Sequence, residues 1–181
     1  MGNRFDALSD SQIEFIRQQH LFFVGTAACD GRINVSPKGM DSLRVMGPNR
    51  VIWLNMTGSG NETAAHLLKN DRMTIMFCSF EKRPEILRLY GHASIYHHED
   101  AEFAGLVSEF PTLAGTRQII DMKIDLVQSS CGFAVPFMEF REDRTQLHDW
   151  ASKKGEDGIR DYWKKKNQKS IDDFDTGMPV K

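Results

Sequence analysis

Several features that would define a function class are missing from this sequence of 181 residues. It has no apolar run as long as a membrane span, and its first residues lack the basic and apolar regions of a signal peptide. Lys and Arg total 23 against 25 Asp and Glu, which leaves a net charge of -2. This balance offers no electrostatic basis for binding nucleic acid or an anionic membrane. We therefore expect a soluble, cytoplasmic protein.

Cysteine is also scarce. Cys29, Cys78 and Cys131 are odd in number, far apart and in no Cys-x-x-Cys pair, which argues against a disulfide framework and a structural zinc site. His97 and His98 are adjacent, so in a strand they would face opposite sides and could not easily bind one metal ion. We predict no metal site, and we identify no catalytic residue.

The sequence does contain the turn signals of an antiparallel sheet with inserted helices. A first helix is predicted from about Ser9 to Gln19, because Ser9 can cap the apolar stripe that follows it. Two hairpins are predicted, one around CDGR (29–32) and one around GPN (47–49). Further strands are predicted in RMTIMFCSF (72–80), EILRLYGHASIYHH (85–98, with a bulge or bend at Gly91), MKIDLVQSSCG (122–132) and AVPFMEF (134–140).

Helices are predicted between and after these strands: from about Gly60 to Lys69, in EDAEFAGLVSEF (99–110), and as two polar helices from Thr145 onward. Short strands joined largely by hairpins, with helices inserted, indicate a mainly β protein, specifically a small β-barrel with appended helices. We expect one domain over residues 1–171 and a disordered tail over residues 172–181.

The segment LNMTGSGNETAAHLLKN (54–70) places a loop between a strand and a helix. Short polar side chains fall at every second position and would line one side of it, namely Asn55, Thr57, Ser59, Asn61 and Thr63. Gly58 and Gly60 allow backbone conformations closed to other residues. Because a helix N-terminus adds free amides and a positive dipole end, we predict an anion site, such as one for phosphate. The alternative is a capping box of Ser59 and Glu62, which needs no ligand.

A second polar segment is NVSPKGMDSLRV (34–45). Pro37 lacks an amide donor and is predicted to end a strand, which places Ser36, Lys38 and Gly39 at an edge. Lys38 then either contacts a phosphate or an electron-rich ring, or remains a solvated charge that protects the edge from aggregation.

Three segments in order, FFVGTAACDGRINVSPKGMD (22–41), VIWLNMTGSGNETAAHLLKNDRMTIMF (51–77) and LRLYGHA (87–93), resemble the pyridoxamine 5'-phosphate oxidase-like family of FMN-binding split barrels. The chain is most similar to the branch that also carries DLVQSSCGFAVP (125–136). The resemblance extends from about residue 5 to residue 170. It implies a six-stranded antiparallel split barrel, assembled as a homodimer with FMN at the subunit interface. It also implies an FMN-dependent oxidoreductase that acts on a small molecule, with NADH or NADPH as a candidate electron donor.

Carried over position by position, the resemblance assigns the FMN phosphate to Ser59, Asn61, Thr63 and the loop glycines Gly58 and Gly60. It places Asn55 and Thr57 along the ribityl chain or the ring edge, and Ser36, Lys38 and Gly39 along the isoalloxazine. Cys131 and Gly132 would approach the flavin from the partner subunit.

The sequence departs from the true oxidase in one respect. That enzyme holds the FMN phosphate with an Arg-Lys pair in the loop, whereas GSGNET (58–63) has no basic residue. This difference argues against pyridoxamine phosphate oxidation, while backbone amides at a helix terminus can replace the cations in FMN binding. Two alternatives stay open: a flavin-binding module without catalysis, for storage or sensing, and a split barrel that binds haem or the deazaflavin F420.

Overall fold

The structure is a computed structural model that describes residues 2–179, and over this range the chain forms one antiparallel sheet with helices attached. The strands are β1 (Asn3–Phe5), β2 (Phe22–Thr26), β3 (Asn34–Lys38), β4 (Leu43–Gly47), β5 (Arg50–Met56), β6 (Arg72–Cys78), β7 (Glu85–His97) and β8 (Thr116–Cys131). The helices are α1 (Asp10–Arg17), α2 (Glu62–Lys69), α3 (Phe103–Val107) and α4 (Gln146–Lys166). Among residues 2–179, no helix combines the length and the apolar character needed to cross a bilayer.

The sheet runs in the order β3-β2-β6-β7-β8-β5-β4, with β1 paired to β8. This confirms the mainly β class with appended helices, but the sheet has eight strands and not the six that the resemblance implied. The strand β1 has no alternating apolar pattern, and its residues are all exposed. It forms because its backbone pairs with β8, from Asn3 opposite Ser129 to Phe5 opposite Val127. Such pairing leaves no signal in the local sequence.

The long strand β8 is the centre of this sheet. It is bonded along its length to β7, and on its other side to β5 near its start and to β1 near its end. The predicted bulge at Gly91 is confirmed, because the register between β7 and β8 shifts between Tyr90 and Gly91. A Cβ atom at Gly91 would lie 1.9 Å from the carbonyl oxygen of Lys123. Only glycine therefore permits this close approach of the two backbones.

Both faces of β5 are buried, each in a different core. Trp53 packs in the large core with Met122 of the neighbouring strand β8 and with Ile75 of β6. The adjacent residue Leu54 points to the opposite face and packs with Phe110. This alternation follows from the period of two residues along a strand, and it anchors the strand that leads into the polar loop.

Several local predictions can be compared with the structure. The first helix is confirmed, with a capping box formed by Ser9 and Gln12, and both hairpins form antiparallel pairs. The strand predicted over AVPFMEF (134–140) is wrong, because this segment has no regular structure. Phe137 within this segment and Phe133 just before it are 79% and 82% exposed.

The chain ends in a packed segment. The two predicted polar helices are confirmed, because α4 consists of two helical stretches separated by a non-helical kink at Gly155, whose φ is 67°. Ala151, Ile159 and Trp163 of α4 form a third apolar cluster with Met178. The disordered tail predicted over 172–181 is therefore wrong for residues 172–179, in which Thr176 is also fully buried. Residues 180 and 181 lie outside the described range.

Candidate anion-binding cleft

A cleft of about 230 Å³ lies between β3, the end of β5 and the loop that leads to α2. The strands β3 and β5 stand far apart in the order of the sheet, so the sheet must curl to bring them to one cleft. Most of the predicted cofactor residues line it: Ser36, Lys38, Asn55, Gly58, Ser59, Gly60, Asn61 and Thr63. Two segments that are separate in sequence thus meet at one site.

The N-terminus of α2 opens into this cleft without a cap. Asn61 occupies the N-cap position, yet its side chain makes no capping hydrogen bond. The alternative capping box does not form either, because the carboxylate of Glu62 accepts hydrogen bonds from the backbone amide of Ile171. The first amides of a helix have no partner within the helix. Within residues 2–179, those of α2 also donate to no group outside the helix, so they are free to bind an anion.

The two loop glycines have a different role from the predicted one. Neither Gly58 nor Gly60 adopts a positive φ, so the expectation of a glycine-only backbone conformation is wrong. A Cβ atom added at Gly58 would have no neighbour within 4 Å. At this half-buried position, glycine leaves the backbone without a covering Cβ atom.

Buried polar atoms around the cleft lack partners. Over residues 2–179, both side-chain polar atoms of Asn61, the Oγ of Ser36 and the Nε of Arg117 make no hydrogen bond. Asn61 is only 2% exposed, and Arg117 only 3%. More than nine in ten buried polar groups in proteins are satisfied. Four unsatisfied atoms around one cleft make it the candidate site for an external ligand.

The cleft also contains two cations. The Nη1 atom of Arg117 donates a hydrogen bond to the carbonyl oxygen of Gly60 at 3.0 Å, and burial lowers the pKa of Arg117 to about 10. Burial, and then the charge of Arg117, lower the pKa of Lys38 to about 8. Within the described part of the chain, neither cation forms a salt bridge. Positive charge without an acidic partner favours an anionic ligand.

The sequence analysis missed four residues of the lining: Asn34, Met56, Glu62 and Arg117. The most consequential is Arg117, because it supplies the positive charge that the loop itself lacks. One signal was present in the sequence, since Arg117 and Gln118 directly precede the apolar pair Ile119 and Ile120 in a strand that is buried on both faces. A charged residue in such a strand requires a specific partner or ligand.

Some predicted residues do not line the cleft. The hydroxyl of Thr57 donates to the carbonyl oxygen of Gly115 and accepts from the indole of Trp163, so its bonds are internal. Gly39 lines a different cavity, beside Ser42.

Cys131 and Gly132 lie at or beyond the C-terminal end of β8, where Cys131 pairs with Glu85. The cleft residue Asn55 pairs instead with Gln118, near the start of the same strand. Within one chain, Cys131 and Gly132 are therefore distant from the cleft.

An antiparallel sheet with appended helices that curls around a polar cleft defines a protein of the split-barrel class. The chain belongs to the pyridoxamine 5'-phosphate oxidase family, because the family profile with that description matches residues 8–131. It is also 42% identical over 144 residues to the pyridoxamine 5'-phosphate oxidase family protein UstO of Aspergillus flavus. That match covers 77% of this chain and 58% of UstO, so the chain spans little more than half of that relative.

Solved structures share the fold at low sequence identity. A proposed pyridoxamine 5'-phosphate oxidase from Lactobacillus delbrueckii aligns with a TM-score of 0.56 and 18% identity, over 68% of this chain and 94% of that one. HupZ from Group A Streptococcus aligns with a TM-score of 0.52 and 18% identity, over 66% and 92%. An FAD binding protein from Mycobacterium smegmatis aligns with a TM-score of 0.50 and 11% identity, over 70% and 97%. At these identities the likeness concerns the fold alone.

Proposed function

We propose that the protein binds FMN and holds the phosphate of FMN in the cleft. The observation that carries this proposal is the group of unsatisfied buried atoms of Asn61, Ser36 and Arg117 at an uncapped helix N-terminus. A phosphate dianion has three oxygens that each accept hydrogen bonds, so it satisfies many donors at once. Arg117 and Lys38 supply the matching positive charge.

A further lining residue fits the rest of the cofactor. Asn55 lies on β5, beside the loop that would hold the phosphate, where it would face the ribityl chain. The cleft volume of about 230 Å³ is smaller than the ~300–1,000 Å³ of pockets that enclose a whole ligand of this size. The cleft of one chain therefore accommodates the phosphate end, and the isoalloxazine ring extends beyond it.

A homodimer would complete such a site. In this proposal a second copy of the chain covers the ring. Cys131 and Gly132 of that second copy would approach the flavin. The irregular segment that follows β8 exposes Phe133 and Phe137 almost fully. Large exposed aromatic residues are typical of protein interfaces. The mass of the particle in solution, measured by light scattering, tests this part of the proposal.

The proposed activity is that of an FMN-dependent oxidoreductase acting on a small molecule. Bound FMN would itself supply the hydride or electron transfer, and the protein would supply binding, orientation and electrostatics. The lining contains no Cys, His or Tyr, in agreement with a reaction that needs no dedicated nucleophile. NADH and NADPH are the candidate electron donors.

The same composition of the lining also supports a second candidate, a flavin-binding module without catalysis. It argues against haem, because iron in haem proteins takes His, Cys, Met or Tyr ligands and the lining offers only Met56. FAD and F420 also carry phosphate groups, so they remain candidate ligands of the loop that leads into α2, here called the phosphate loop. An FAD binding protein shares the fold.

The first experiment identifies the small molecule. The protein is purified, its absorption spectrum is recorded, and the compound released on denaturation is analysed by mass spectrometry; the proposal requires a flavin spectrum and the mass of FMN. If none is released, titration with FMN must quench flavin fluorescence in a saturable way. A haem spectrum, or failure to bind FMN when excess is added, overturns the proposal.

A second experiment separates the two candidate functions. The yellow protein is mixed with NADH or NADPH under anaerobic conditions. Bleaching, followed by recovery of the colour with an electron acceptor, supports the oxidoreductase. A folded, fully loaded protein that neither donor reduces supports the module.

A further inference from the structure

The C-terminal segment, residues 163–178, is bonded to the outer side of the loop that leads into α2. The indole Nε1 of Trp163 donates to the hydroxyl of Thr57 at 2.8 Å. The side-chain amide of Asn167 donates to the carbonyl oxygens of Gly58 and Ser59, at 3.1 and 3.4 Å. These contacts join parts of the chain that are more than 100 residues apart. Trp163 and Asn167 do not line the cleft.

The bonds to Asn167 determine the direction of two peptide groups. In a trans peptide the carbonyl oxygen and the amide hydrogen of the next residue point in opposite directions. Because Asn167 holds the carbonyls of Gly58 and Ser59, the amides of Ser59 and Gly60 point away from the C-terminal segment. Over residues 2–179, neither amide donates a backbone or side-chain hydrogen bond. Consecutive free amides with a common direction form an anion-binding concavity.

Asn167 is itself firmly placed. It is fully buried, its backbone amide donates to the carbonyl of Trp163 at the end of α4, and its carbonyl accepts from the hydroxyl of Thr176. Asp172 of the same segment pairs with the backbone amide and guanidinium of Arg32, in the loop before β3. The segment is thus fixed both to the loop that leads into α2 and to the loop that precedes β3, on the opposite side of the cleft.

We infer that Asn167 is a positioning residue for the phosphate loop, and that binding of a phosphate ester in the cleft is coupled to docking of the C-terminal segment. This inference rests on the proposed function. Asn167 touches no cofactor atom in this scheme. It acts by holding two carbonyl groups outward, so that the amides on the other side are oriented before the ligand arrives. A loop without this constraint would have to be ordered by the ligand, at a cost in affinity.

The test compares two ligands that differ only in the phosphate. Dissociation constants of FMN and riboflavin are measured by fluorescence quenching for the wild-type protein and for Asn167→Ala. We expect FMN affinity to fall by about tenfold, the effect of one net hydrogen bond, and riboflavin affinity to change by less than about twofold. A general loss of structure would weaken both ligands, whereas a positioning role affects the phosphate alone.

A matched control is available in Asn49, whose side-chain amide also donates to two backbone carbonyls, those of Asp6 and Ile124, away from the cleft. We expect Asn49→Ala to leave the ratio of FMN to riboflavin affinity at its wild-type value. The inference is overturned if folded Asn167→Ala keeps the wild-type ratio, or if Asn49→Ala lowers the ratio equally. A wild-type protein that binds FMN no better than riboflavin would instead overturn the phosphate site itself.

Hydrogen exchange on the wild-type protein supplies a measurement that does not depend on the folding of a variant. Coupling is reciprocal, so FMN must slow amide exchange in residues 163–178, and riboflavin must have a smaller effect. Equal protection by the two ligands, or no protection by FMN when the cleft is saturated, contradicts the inference.

Discussion

The Nη1 atom of Arg117 donates to the carbonyl oxygen of Gly60 at 3.0 Å, and this single contact joins the start of β8 to the loop at the mouth of the cleft. The same guanidinium leaves its buried Nε without a partner. Buried charges without partners cost several kcal/mol in proteins. We therefore expect Arg117 to stabilise a bound anion more than it stabilises the ligand-free fold.

We expect Arg117→Met to weaken FMN binding by about 10- to 100-fold, the usual range for a charged hydrogen bond. The melting temperature of the cofactor-free protein should not fall, because removing an unpaired buried charge offsets the lost bond to Gly60. Fluorescence titration and thermal unfolding measure the two effects. Arg88→Met is the control, since Arg88 donates to Ser130 on β8 and does not line the cleft. Unchanged FMN affinity in Arg117→Met would exclude this residue from the site.

The pKa of Lys38, about 8, predicts a pH dependence of binding. A phosphate ester is a dianion above its second pKa of about 6, and it is bound most tightly while Lys38 is charged. FMN affinity should therefore fall by about tenfold as the pH rises from about 7 to about 9.5. In Lys38→Met this slope should be absent. A wild-type protein with a flat profile over this range would contradict the role of Lys38.

The lowered pKa of Lys38 also predicts a pH dependence of protein stability, in the opposite direction to that of FMN affinity. The folded-state pKa of Lys38 lies below the ordinary value of 10.5, so the unfolded chain binds more protons between these two values. The stability of the cofactor-free protein should therefore increase with pH from about 8 to about 10.5, relative to Lys38→Met. Denaturant unfolding of both proteins across this range provides the comparison.

Negative charge in the loop should exclude the phosphate without harming the fold. In the double variant Ser59→Asp and Asn61→Asp, we expect complete loss of FMN retention, because two carboxylates face the position of the phosphate. Asp is a favoured N-cap residue, so the cofactor-free variant should be at least as stable as the wild type. The neutral double variant Ser59→Ala and Asn61→Ala serves as the control, because it removes the same side chains without adding charge, and it should weaken FMN binding less than the charged variant does. A full flavin complement in the folded double variant would refute the assignment.

The bulge at Gly91 allows a test of the fold itself. A methyl group in Gly91→Ala would overlap the backbone of Lys123, which cannot move without breaking the pairing of β7 with β8. We expect a loss of more than about 3 kcal/mol in the free energy of unfolding, measured by denaturant titration. Gly47→Ala is the matched control, because its added methyl has no neighbour within 4 Å, and it should remain close to wild type.

The sequence located lining residues of the cleft where their environment depends on the neighbouring residues along the chain. Ser59, Asn61 and Thr63 could be located because a strand, two glycines and a helix succeed one another, and a helix terminus needs polar partners. Ser36 and Lys38 could be located because Pro37 restricts the backbone beside them. In each case the neighbours along the chain determine the environment.

The remainder depends on contacts between distant segments. Arg117 reaches Gly60 only because β5 and β8 are paired, with Asn55 opposite Gln118. The outward carbonyls of the loop depend on Asn167, which lies more than 100 residues later. Pattern and propensity do not report such pairings. The sequence of the loop, which has no basic residue, therefore did not reveal the positive charge that Arg117 adds to the site.

The strand β8, residues 116–131, is also the last strand of the sheet to leave the ribosome. A nascent chain that ends before residue 116 has the group β3-β2-β6-β7 on one side and the β4–β5 hairpin on the other, with no strand to join them. The strand β1 is synthesised before the other strands, and it stays unpaired until β8 is available. Closure of the sheet around its cleft is accordingly a late event in synthesis, governed by contacts of long sequence separation.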